Sequence, residues 1–359
     1  MPLLGLRRIR RAFCTYNNMA SLNELSASFG NNSTGPKNFI QKDQAPTFSI
    51  LQYNILAGNL GTESHFPYVK KNVLDWNVRK KLIVQNVITK DPTIVCMEEL
   101  NDYEDYFKPV MFGHGYNSVY SKRPSIHKSS WSGVNKHDGC GIFFKSSRFE
   151  MLETETLIYN DSHDRIALFL LLKSKDTGDN IIIVSTHLYW NINKVDVQLA
   201  ELNELHKKLK DVTKKWFSDN SISPPIIIAG DFNNVPGSAV YDYMEREISL
   251  KSAYRNYTNS SNDKMNQGGK YEPPHTTVNY KRCQTIDYIW HSNNLQPIEL
   301  LKLPTENELR SESGPDGWQD KVNASLLNKM ANNNGIPNSK YGSDHIPLMA
   351  QFTCLTSSL

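Results

Sequence analysis

The sequence predicts an α/β fold, because short apolar runs typical of buried strands alternate with longer amphipathic patterns typical of helices. The clearest strand is the apolar run 226–229, which follows two prolines and ends at Gly230. The longest helical pattern extends from about Lys194 to Trp216. A chain of 359 residues, with 39% hydrophobic and 21% charged residues, can bury the core of one large globular domain.

A first helix is predicted after Asp75, whose carboxylate can cap a helix that continues to about Ile88. Apolar residues in this stretch are expected to face the core and basic residues to face solvent. The apolar set is Val78, Leu82, Val87 and Ile88, and the basic set is Arg79, Lys80 and Lys81.

The helix from Lys194 to Trp216 carries an apolar stripe at spacings of three and four residues, which we interpret as core packing. The stripe consists of Val195, Leu199, Leu202, Leu205, Leu209 and Val212. Five lysines lie on its other side, at positions 207, 208, 210, 214 and 215. We interpret them as a solvated face, and a stripe that follows an RNA backbone is the less favoured alternative.

The most informative motif follows the strand 226–229 and reads Gly230-Asp231-Phe232-Asn233. Because strand residues alternate faces, Asp231 and Asn233 are expected to project together from the end of the sheet. A carboxylate and a carboxamide on a rigid strand can hold a metal, a phosphate or an attacking water. The alternative is a turn capped by its own side chains, since Asp and Asn favour such positions.

Other apolar runs also end in, or contain, residues that can carry chemistry. They are Asn54, Glu98 with Glu99, His187, Asp287, and Asp344 with His345. Such groups are costly at buried strand ends unless they are paired or bind a metal. Taken singly, Asp287 could be a satisfied buried acid and His187 a core histidine. Six such sites in one chain favour an active site.

The chain resembles the endonuclease/exonuclease/phosphatase superfamily in the order of these motifs. Two segments, Asp138–Phe144 and Thr186–Trp190, are similar to the branch of carbon-catabolite-repressor-type deadenylases, nocturnin and angel proteins. Within that branch, Asp102–Tyr106 and the short N-terminal extension look most like the yeast Ngl-type mitochondrial RNA exonuclease. The resemblance covers residues 47–354, the expected catalytic domain.

The resemblance implies a four-layer α/β sandwich, in which two packed, mixed but mainly antiparallel sheets are flanked by helices and the site lies at one end of the strands. It also implies Mg²⁺ as cofactor, with Mn²⁺ as a substitute, because Mg²⁺ prefers oxygen ligands. Glu99 is the implied metal ligand and Asn54 lies beside it. Asp344 would hold a second metal or position the first.

The catalytic roles are also implied by the resemblance. Asp231 would orient or deprotonate the attacking water, and Asn233 would hold that water or a phosphate oxygen. His345, oriented and kept basic by Asp287, would donate to the scissile phosphate. His187 would bind a non-bridging oxygen.

The chain departs from the family pattern at two places. It has Glu98-Glu99 where the family usually has Gln-Glu, and strand alternation predicts that Glu98 does not double the metal site. It also lacks the adenine-stacking aromatic residue that deadenylases carry before the Asp287 motif, and a proline after Trp190. Arg282, which can stack on a base or grip a phosphate, is therefore a substrate-binding candidate together with Tyr280 and Trp190.

Three functions compete at this point. The favoured one is a Mg²⁺-dependent 3′–5′ exonuclease that releases nucleoside 5′-monophosphates from the 3′ end of single-stranded RNA. The alternative is a phosphatase acting on a nucleotide such as NADPH, or on a 2′,3′-cyclic phosphate at an RNA end. The third is a non-catalytic RNA-binding or scaffold protein. An open groove near residues 255–285 would favour RNA, whereas a closed pocket would favour a dinucleotide.

The N-terminus has the composition of a mitochondrial targeting segment, because residues 1–20 contain four arginines and no acid. Without those arginines, 36 basic residues face 37 acidic ones, so the net charge of +3 does not describe the domain. Residues 21–46 are predicted to be a flexible linker. We expect a mitochondrial location, with a cytoplasmic one as the alternative.

Three expectations are negative. No apolar run is long enough to span a bilayer. The five cysteines show no zinc-ligand spacing, and no leucine-rich-repeat segment for assembly is expected.

Overall fold

Two six-stranded β-sheets form the centre of the structure. The chain is described by a computed structural model over residues 46–124, 138–160, 163–217, 223–257, 272–311 and 334–355. The strands are β1 (Thr47–Asn54), β2 (Ile94–Glu98), β3 (Tyr116–Lys122), β4 (Gly139–Lys145), β5 (Phe149–Ile158), β6 (Ile166–Ser174), β7 (Asn180–His187), β8 (Ile226–Asp231), β9 (Lys251–Ser252), β10 (Thr277–Val278), β11 (Cys283–Gln284), β12 (Asp287–His291), β13 (Leu295–Leu300) and β14 (Leu348–Cys354).

The helices cover the outer faces of the sheets. They are α1 (Lys71–Leu74), α2 (Trp76–Ile88), α3 (Lys108–Gly113), α4 (Val195–Trp216), α5 (Ala239–Arg246) and α6 (Glu306–Arg310), with a π-helical turn at Tyr103–Phe107. None of the helices in the described ranges is long and apolar enough to cross a membrane.

Each sheet contains one parallel strand pair at its centre. The first sheet has the order β13-β14-β1-β2-β4-β3, and the second has the order β5-β6-β7-β8-β12-β9. β1 is parallel to β2, and β7 is parallel to β8, whereas the other neighbours are antiparallel. The expected mixed, mainly antiparallel sheets are therefore confirmed.

Three apolar clusters account for the four layers. One lies between the sheets and contains, for example, Ile50 of β1 and Ile183 of β7. A second packs the outer face of the second sheet against α4 and α5, and a third packs the first sheet against α2 and α3. The predicted sandwich with helices outside is confirmed.

The prediction for α2 is wrong at two positions, although its limits, its cap and the burial of Val87 are as expected. The Asp75 carboxylate accepts a hydrogen bond from the backbone N–H of Asn77 at 2.7 Å. Arg79, expected to face solvent, is fully buried, while Val78 is 42% exposed. The Arg79 guanidinium donates to backbone carbonyls of loops that surround it, including those of Leu56 and Gly342 at 2.8 and 3.0 Å. These acceptors compensate for the buried charge, and the sequence of the helix does not reveal them.

The helix α4 agrees with its prediction. Leu202, Leu205, Leu209 and Val212 are buried, and the first two positions of the stripe are partly buried. Of the five lysines, Lys207, Lys210, Lys214 and Lys215 are exposed and Lys208 is partly exposed; Lys208 and Lys215 pair with Glu155 of β5. The predicted targeting segment and nearly all of the linker lie outside the described residues, as do residues 258–271 and 312–333.

Candidate active site

The candidate active site lies where the two parallel strand pairs end. Asn54 and Glu98 are the last residues of β1 and β2, and His187 and Asp231 are the last residues of β7 and β8. Both strands of a parallel pair end at the same edge of their sheet. A hydrogen bond of 3.0 Å from Asn54 Nδ2 to Asp231 Oδ2 joins the two edges.

Asp231 is the centre of this cluster. Besides Asn54, the Nε2 atoms of His187 and His345 lie 3.6 and 3.8 Å from Asp231 Oδ2. Oδ1 accepts a hydrogen bond from the backbone N–H of Asn233 at 2.9 Å. The carboxylate is thus held at one oxygen and presents the other to two imidazoles and an amide.

The electrostatic environment of Asp231 favours its protonated form. Burial, and next the carboxylate of Asp287 directly opposite on β12, raise the pKa of Asp231 to about 7. The His345 imidazole and the hydrogen bonds from Asn233 and Asn54 act in the opposite direction. A carboxyl group whose pKa is near neutral is suited to accept a proton from water.

Asp287 holds His345 in a fixed orientation. Its Oδ2 accepts from His345 Nδ1 at 2.8 Å and from the Thr276 hydroxyl at 2.6 Å. Its Oδ1 accepts from Gln52 Nε2 at 2.9 Å. With Nδ1 engaged in this way, Nε2 of the imidazole points to Asp231.

The same carboxylates determine the charge of His345. Burial alone would lower its pKa, but Asp287, Asp344 and Asp231 together raise the pKa of His345 well above its usual value. Asp344 is placed with its Oδ1 3.9 Å from His345 Nε2, and its Oδ2 accepts a long hydrogen bond of 3.5 Å from Asn279 Nδ2. The imidazole is therefore a proton donor at neutral pH.

Glu99 sits just beyond the end of β2, in a left-handed backbone conformation with φ of 55°. Its Oε2 accepts the backbone N–H of Ala57 at 3.0 Å, and its Oε1 accepts Asn54 Nδ2 at 3.3 Å. Burial raises the pKa of Glu99, and so do the carboxylates of Asp138 and Asp344. The Ala57 hydrogen bond and the Arg123 guanidinium act in the opposite direction, and the net effect disfavours the charged carboxylate.

Asn54 connects the two halves of the site through its amide nitrogen. Nδ2 donates to both Glu99 and Asp231, while Oδ1 accepts the backbone N–H of Leu56 at 3.0 Å. A metal-ligand role for Asn54 requires its amide oxygen to turn toward Glu99. That role stays a prediction.

Asn233 reaches the site by a different route from the one expected. β8 ends at Asp231, and Asn233 has a left-handed backbone with φ of 51°, so strand alternation does not apply to it. The turn is fixed by its N–H bond to Asp231 and by a bond from its Nδ2 to the Leu188 carbonyl at 3.1 Å.

Glu98 has hydrogen-bond partners separate from those of Glu99. Its two oxygens accept from Gln52 Nε2 at 2.9 Å and from the Ser185 hydroxyl at 2.8 Å. Burial raises the pKa of Glu98 well above its usual value, which favours the neutral acid, although the hydrogen bonds from Ser185 and Gln52 act in the opposite direction. A neutral carboxylic acid has nearly the shape and hydrogen-bonding capacity of the glutamine that the family usually carries.

The three substrate-binding candidates are in different environments. Tyr280 is half-buried, with its ring edge-on to Tyr68 at 5.8 Å. Arg282 is exposed on the short connection between β10 and β11. Trp190 is 53% exposed and 5.7 Å from the ring of Tyr189. Of these, Tyr280 and Arg282 follow Asn279, which contacts Asp344 of the site.

Two supporting residues were missed by the sequence reasoning. Gln52 bridges Glu98 and Asp287 through its Nε2, and Thr276 donates to Asp287. Gln52 precedes Asn54 by two residues on a strand and so shares its face, which is a signal that could have identified it. Thr276 lies in a polar stretch without a strand pattern, and no comparable signal marks it.

The donor set fits a hard divalent cation near Glu99. Ligand atoms of Asp231, Asp287 and His345 also lie within 4.8 Å of one another, which is a spacing that metal sites show. In that trio, however, both Asp287 oxygens and the His345 Nδ1 are already hydrogen-bonded. The Glu99 carboxylate, which the carboxylates of Asp138 and Asp344 repel, matches the ligand preference of Mg²⁺ better.

Comparison with known proteins identifies the family. The model described as "Endonuclease/Exonuclease/phosphatase family" matches residues 51–345. The chain belongs to this family. The match contains every predicted catalytic and metal-binding residue, and the resemblance read from the motifs is confirmed at this level. The assignment to the Ngl-type proteins stays a prediction.

The family member Nocturnin of Xenopus laevis is 28% identical to this chain over 320 residues, covering 86% of this chain and 73% of Nocturnin. The "CCR4-Not complex 3′-5′-exoribonuclease subunit Ccr4" of Candida albicans is 25% identical over 351 residues, covering 87% of this chain. This chain spans only 42% of the length of that subunit. Such relatives support a hydrolase that acts on phosphoester bonds.

Solved structures of the family have the same architecture. The human Nocturnin catalytic domain with bound sulfate matches with a TM-score of 0.64 and 26% identity, covering 87% of this chain and 96% of that domain. ANGEL2, a 2′,3′-cyclic phosphatase in complex with adenosine-2′,3′-vanadate, matches with a TM-score of 0.65 and 24% identity, covering 86% and 96% of the two chains. The likeness to ANGEL2 concerns the fold.

Proposed function

We propose that this protein is a Mg²⁺-dependent phosphodiesterase that removes nucleoside 5′-monophosphates from the 3′ end of single-stranded RNA. The observation that carries the proposal is the grouping of His187, His345 and Asn54 around Asp231 Oδ2. This grouping combines a proton acceptor near neutral pKa with a protonated imidazole, which is what phosphodiester hydrolysis needs.

In the proposed reaction, the Asp231 carboxylate accepts a proton from the attacking water as the water oxygen bonds to phosphorus. The bond from phosphorus to the 3′ oxygen breaks, and that oxygen takes up a proton and remains on the shortened RNA. His345 Nε2, charged and oriented by Asp287, donates a hydrogen bond to an oxygen of the scissile phosphate. His187, on the other side of Asp231 Oδ2, binds a non-bridging oxygen. Mg²⁺, when bound at Glu99, supplies positive charge that stabilises the developing charge on the phosphate.

Exposed basic residues beside the site favour RNA over a small dinucleotide as substrate. Lys281 and Arg282 are both exposed. The ring of Tyr280 is covered on one side by Lys281, whose Nζ lies 5.0 Å from the ring centre. Exposed cations beside the site agree with an open groove for a polyanion. The names of the Ccr4 relatives point to the same substrate class.

The alternative is a phosphatase that acts on a nucleotide or on an RNA terminus. The likeness to the 2′,3′-cyclic phosphatase ANGEL2 is of the fold, so it supports this alternative only through the family. A non-catalytic scaffold is disfavoured, because binding alone has no need for the buried and mutually repelling carboxylates of Asp231 and Asp287, or for the buried Glu99 beside them.

The full-length protein tests these functions on a panel of substrates with Mg²⁺. The panel contains 5′-labelled RNA with and without a 3′ adenosine tail, RNA ending in a 2′,3′-cyclic phosphate, and NADPH. We expect a ladder shortened from the 3′ end, and the Asp231→Ala variant should give none. Phosphate release from NADPH or from the cyclic end, with the RNA left at full length, would replace the exonuclease with the phosphatase.

A mitochondrial location is part of the proposal and is supported by the composition of residues 1–20 alone. Fusion of the full chain and of a version without residues 1–20 to a fluorescent protein tests it. The full chain should enter mitochondria and the shortened one should not, whereas identical distributions would reject the targeting segment. In either location, catalysis by the shortened protein should match that of the full chain.

A further inference from the structure

Arg165 is a buried cation with two unpaired donor atoms. It immediately precedes β6, and only 6% of its surface is exposed. Within the described part of the chain, its Nε and Nη1 are shielded from solvent and have no hydrogen-bond acceptor. The carboxylates of Glu201, Asp164 and Glu99 act on the guanidinium through space, but none of them accepts a hydrogen bond from these two atoms. Buried donors that are left unsatisfied cost folding free energy. A fold that carries such a group is expected to use it when a ligand is bound.

The other two buried arginines in the described residues have carbonyl or carboxylate partners, although Arg123 Nε is also without an acceptor. Arg79 donates to five backbone carbonyls. Arg123 forms ion pairs with Asp138 and Asp164. The contrast shows that a buried arginine in this fold can find acceptors, and that the geometry around Arg165 leaves two donors for another partner.

The position of Arg165 is beside the candidate active site. It lies two residues before Ala167, which is opposite Thr186 on β7, and His187 ends that strand. Arg165 is therefore at the same edge of the second sheet as His187. Glu99 and Arg123 are among the charged groups within electrostatic range of its guanidinium.

We propose that Arg165 binds a second phosphate group of the substrate, adjacent to the phosphate that is hydrolysed. The inference rests on the proposed function and specifies how the substrate is recognised. A planar guanidinium can bind two phosphate oxygens at once, which suits a rigid, buried anion site. Its Nε and Nη1 make no hydrogen bond to Asp231. We therefore assign the guanidinium to the next phosphate position and not to the scissile one.

Two kinds of substrate offer a phosphate at that distance. In RNA it is the phosphate on the 5′ side of the penultimate nucleoside, and in a phosphorylated dinucleotide it is the pyrophosphate. The adenylyl dinucleotide ApA contains only the scissile phosphate, and its 5′-phosphorylated form pApA adds the second one. Adenosine 2′-monophosphate and NADPH form the corresponding pair for a dinucleotide substrate.

The test compares kcat/KM within each pair for the wild-type protein and for Arg165→Met. In the wild type, the second phosphate should raise kcat/KM by about tenfold or more, the effect of a charge-assisted contact. In Arg165→Met the advantage should fall to less than about twofold, and Arg165→Lys should be intermediate because the charge is kept without the planar fork. Arg246→Met, which removes an exposed arginine at the end of α5, should keep the wild-type ratio. The pair that shows the loss identifies the source of the phosphate.

Equal losses on both members of a pair would overturn the inference, because Arg165 would then act at the scissile phosphate or in folding. A melting temperature of Arg165→Met well below that of Arg246→Met would also overturn it, by revealing a structural role for the guanidinium. If the wild type hydrolyses none of these substrates, the proposed function fails first. Binding of adenosine 3′,5′-bisphosphate then tests the subsite directly. Stabilisation by this probe beyond that by adenosine 5′-monophosphate, lost in Arg165→Met, supports the site, and equal stabilisation in both proteins rejects it.

Discussion

Asp231 and Asp287 lie directly opposite each other on the neighbouring antiparallel strands β8 and β12. His345 connects them, with Nδ1 2.8 Å from Asp287 Oδ2 and Nε2 3.8 Å from Asp231 Oδ2. The two carboxylates therefore have different surroundings. Asp287 is bonded at both oxygens and orients the imidazole, whereas Asp231 faces the space where a phosphate would bind. Proximity to Asp287 also raises the pKa of Asp231.

The pH dependence of kcat/KM should be bell-shaped. The rate should rise as Asp231 loses its proton. The midpoint should lie at or below about pH 7, because the pKa of Asp231 is about 7 and a bound metal can only lower it. It should fall at a pH well above 6.5, where His345 loses its proton. Initial rates between pH 5 and pH 10 measure both limbs.

Asp287→Asn is the matched variant for this profile. Removing the carboxylate that raises the pKa of His345 should move the alkaline limb to lower pH by about one unit or more. An alkaline limb at the same pH in both proteins would mean that another group is responsible for it.

Asp231→Asn should stabilise the metal-free protein while abolishing activity. Folding raises the pKa of Asp231 from 3.8 to about 7. The protonated carboxyl therefore contributes its full stabilisation below pH 3.8, and this contribution is lost as the pH rises to about 7. At pH 8 the neutral amide should therefore raise the free energy of unfolding by roughly 2 kcal/mol or more. Urea unfolding in EDTA at pH 8 and at pH 4 measures this. A gain that does not shrink at the lower pH would show that ionisation of Asp231 is not its cause.

Glu98→Gln should be nearly neutral for catalysis, because burial favours the uncharged form of this acid. We expect kcat to change by less than about threefold and the stability to rise at alkaline pH, since glutamine cannot ionise. Glu98→Ala is the contrasting variant and leaves Gln52 without one acceptor. It should lower kcat by about tenfold through the loss of support for Asp287. A large loss in Glu98→Gln would instead assign a charged role to Glu98.

Arg79→Met should destabilise the fold strongly. The guanidinium satisfies five buried carbonyls, among them those of Leu56 and Ala57 beside Glu99. The loss of these hydrogen bonds should lower the free energy of unfolding by about 3 kcal/mol or more. Lys81→Met, an exposed position on the same helix, should change the free energy by less than about 0.5 kcal/mol. Chemical denaturation of both variants measures the difference, and similar values would contradict the assigned role of Arg79.

The sequence predicts what depends on local pattern in this protein. The strand ends at Asn54, Glu99, His187 and Asp231 are recognisable because each follows an apolar run, and the cap at Asp75 depends only on its neighbours. The sequence does not predict features that depend on contacts between distant segments. The burial of Arg79 is one, because its guanidinium donates to carbonyls in loops more than 20 residues away.

The backbone at the site is a second limit. Strand alternation was used to orient Asn233 and Glu99, but both strands end one or two residues earlier and both residues adopt left-handed conformations. A polar residue after a strand indicates that a site is near, and it does not fix the direction of the side chain.

The central claim is that Asp231 and a metal at Glu99 together hydrolyse a phosphodiester. The most direct measurement is the rate of shortening of 5′-labelled RNA by wild type, Asp231→Ala and Glu99→Ala, before and after EDTA and with Mg²⁺ or Mn²⁺ restored. We predict that each variant loses more than about a thousandfold in rate while remaining folded by circular dichroism, and that EDTA abolishes wild-type turnover until metal is returned. Cleavage at the wild-type rate by both variants, or turnover that persists in EDTA, would contradict the account.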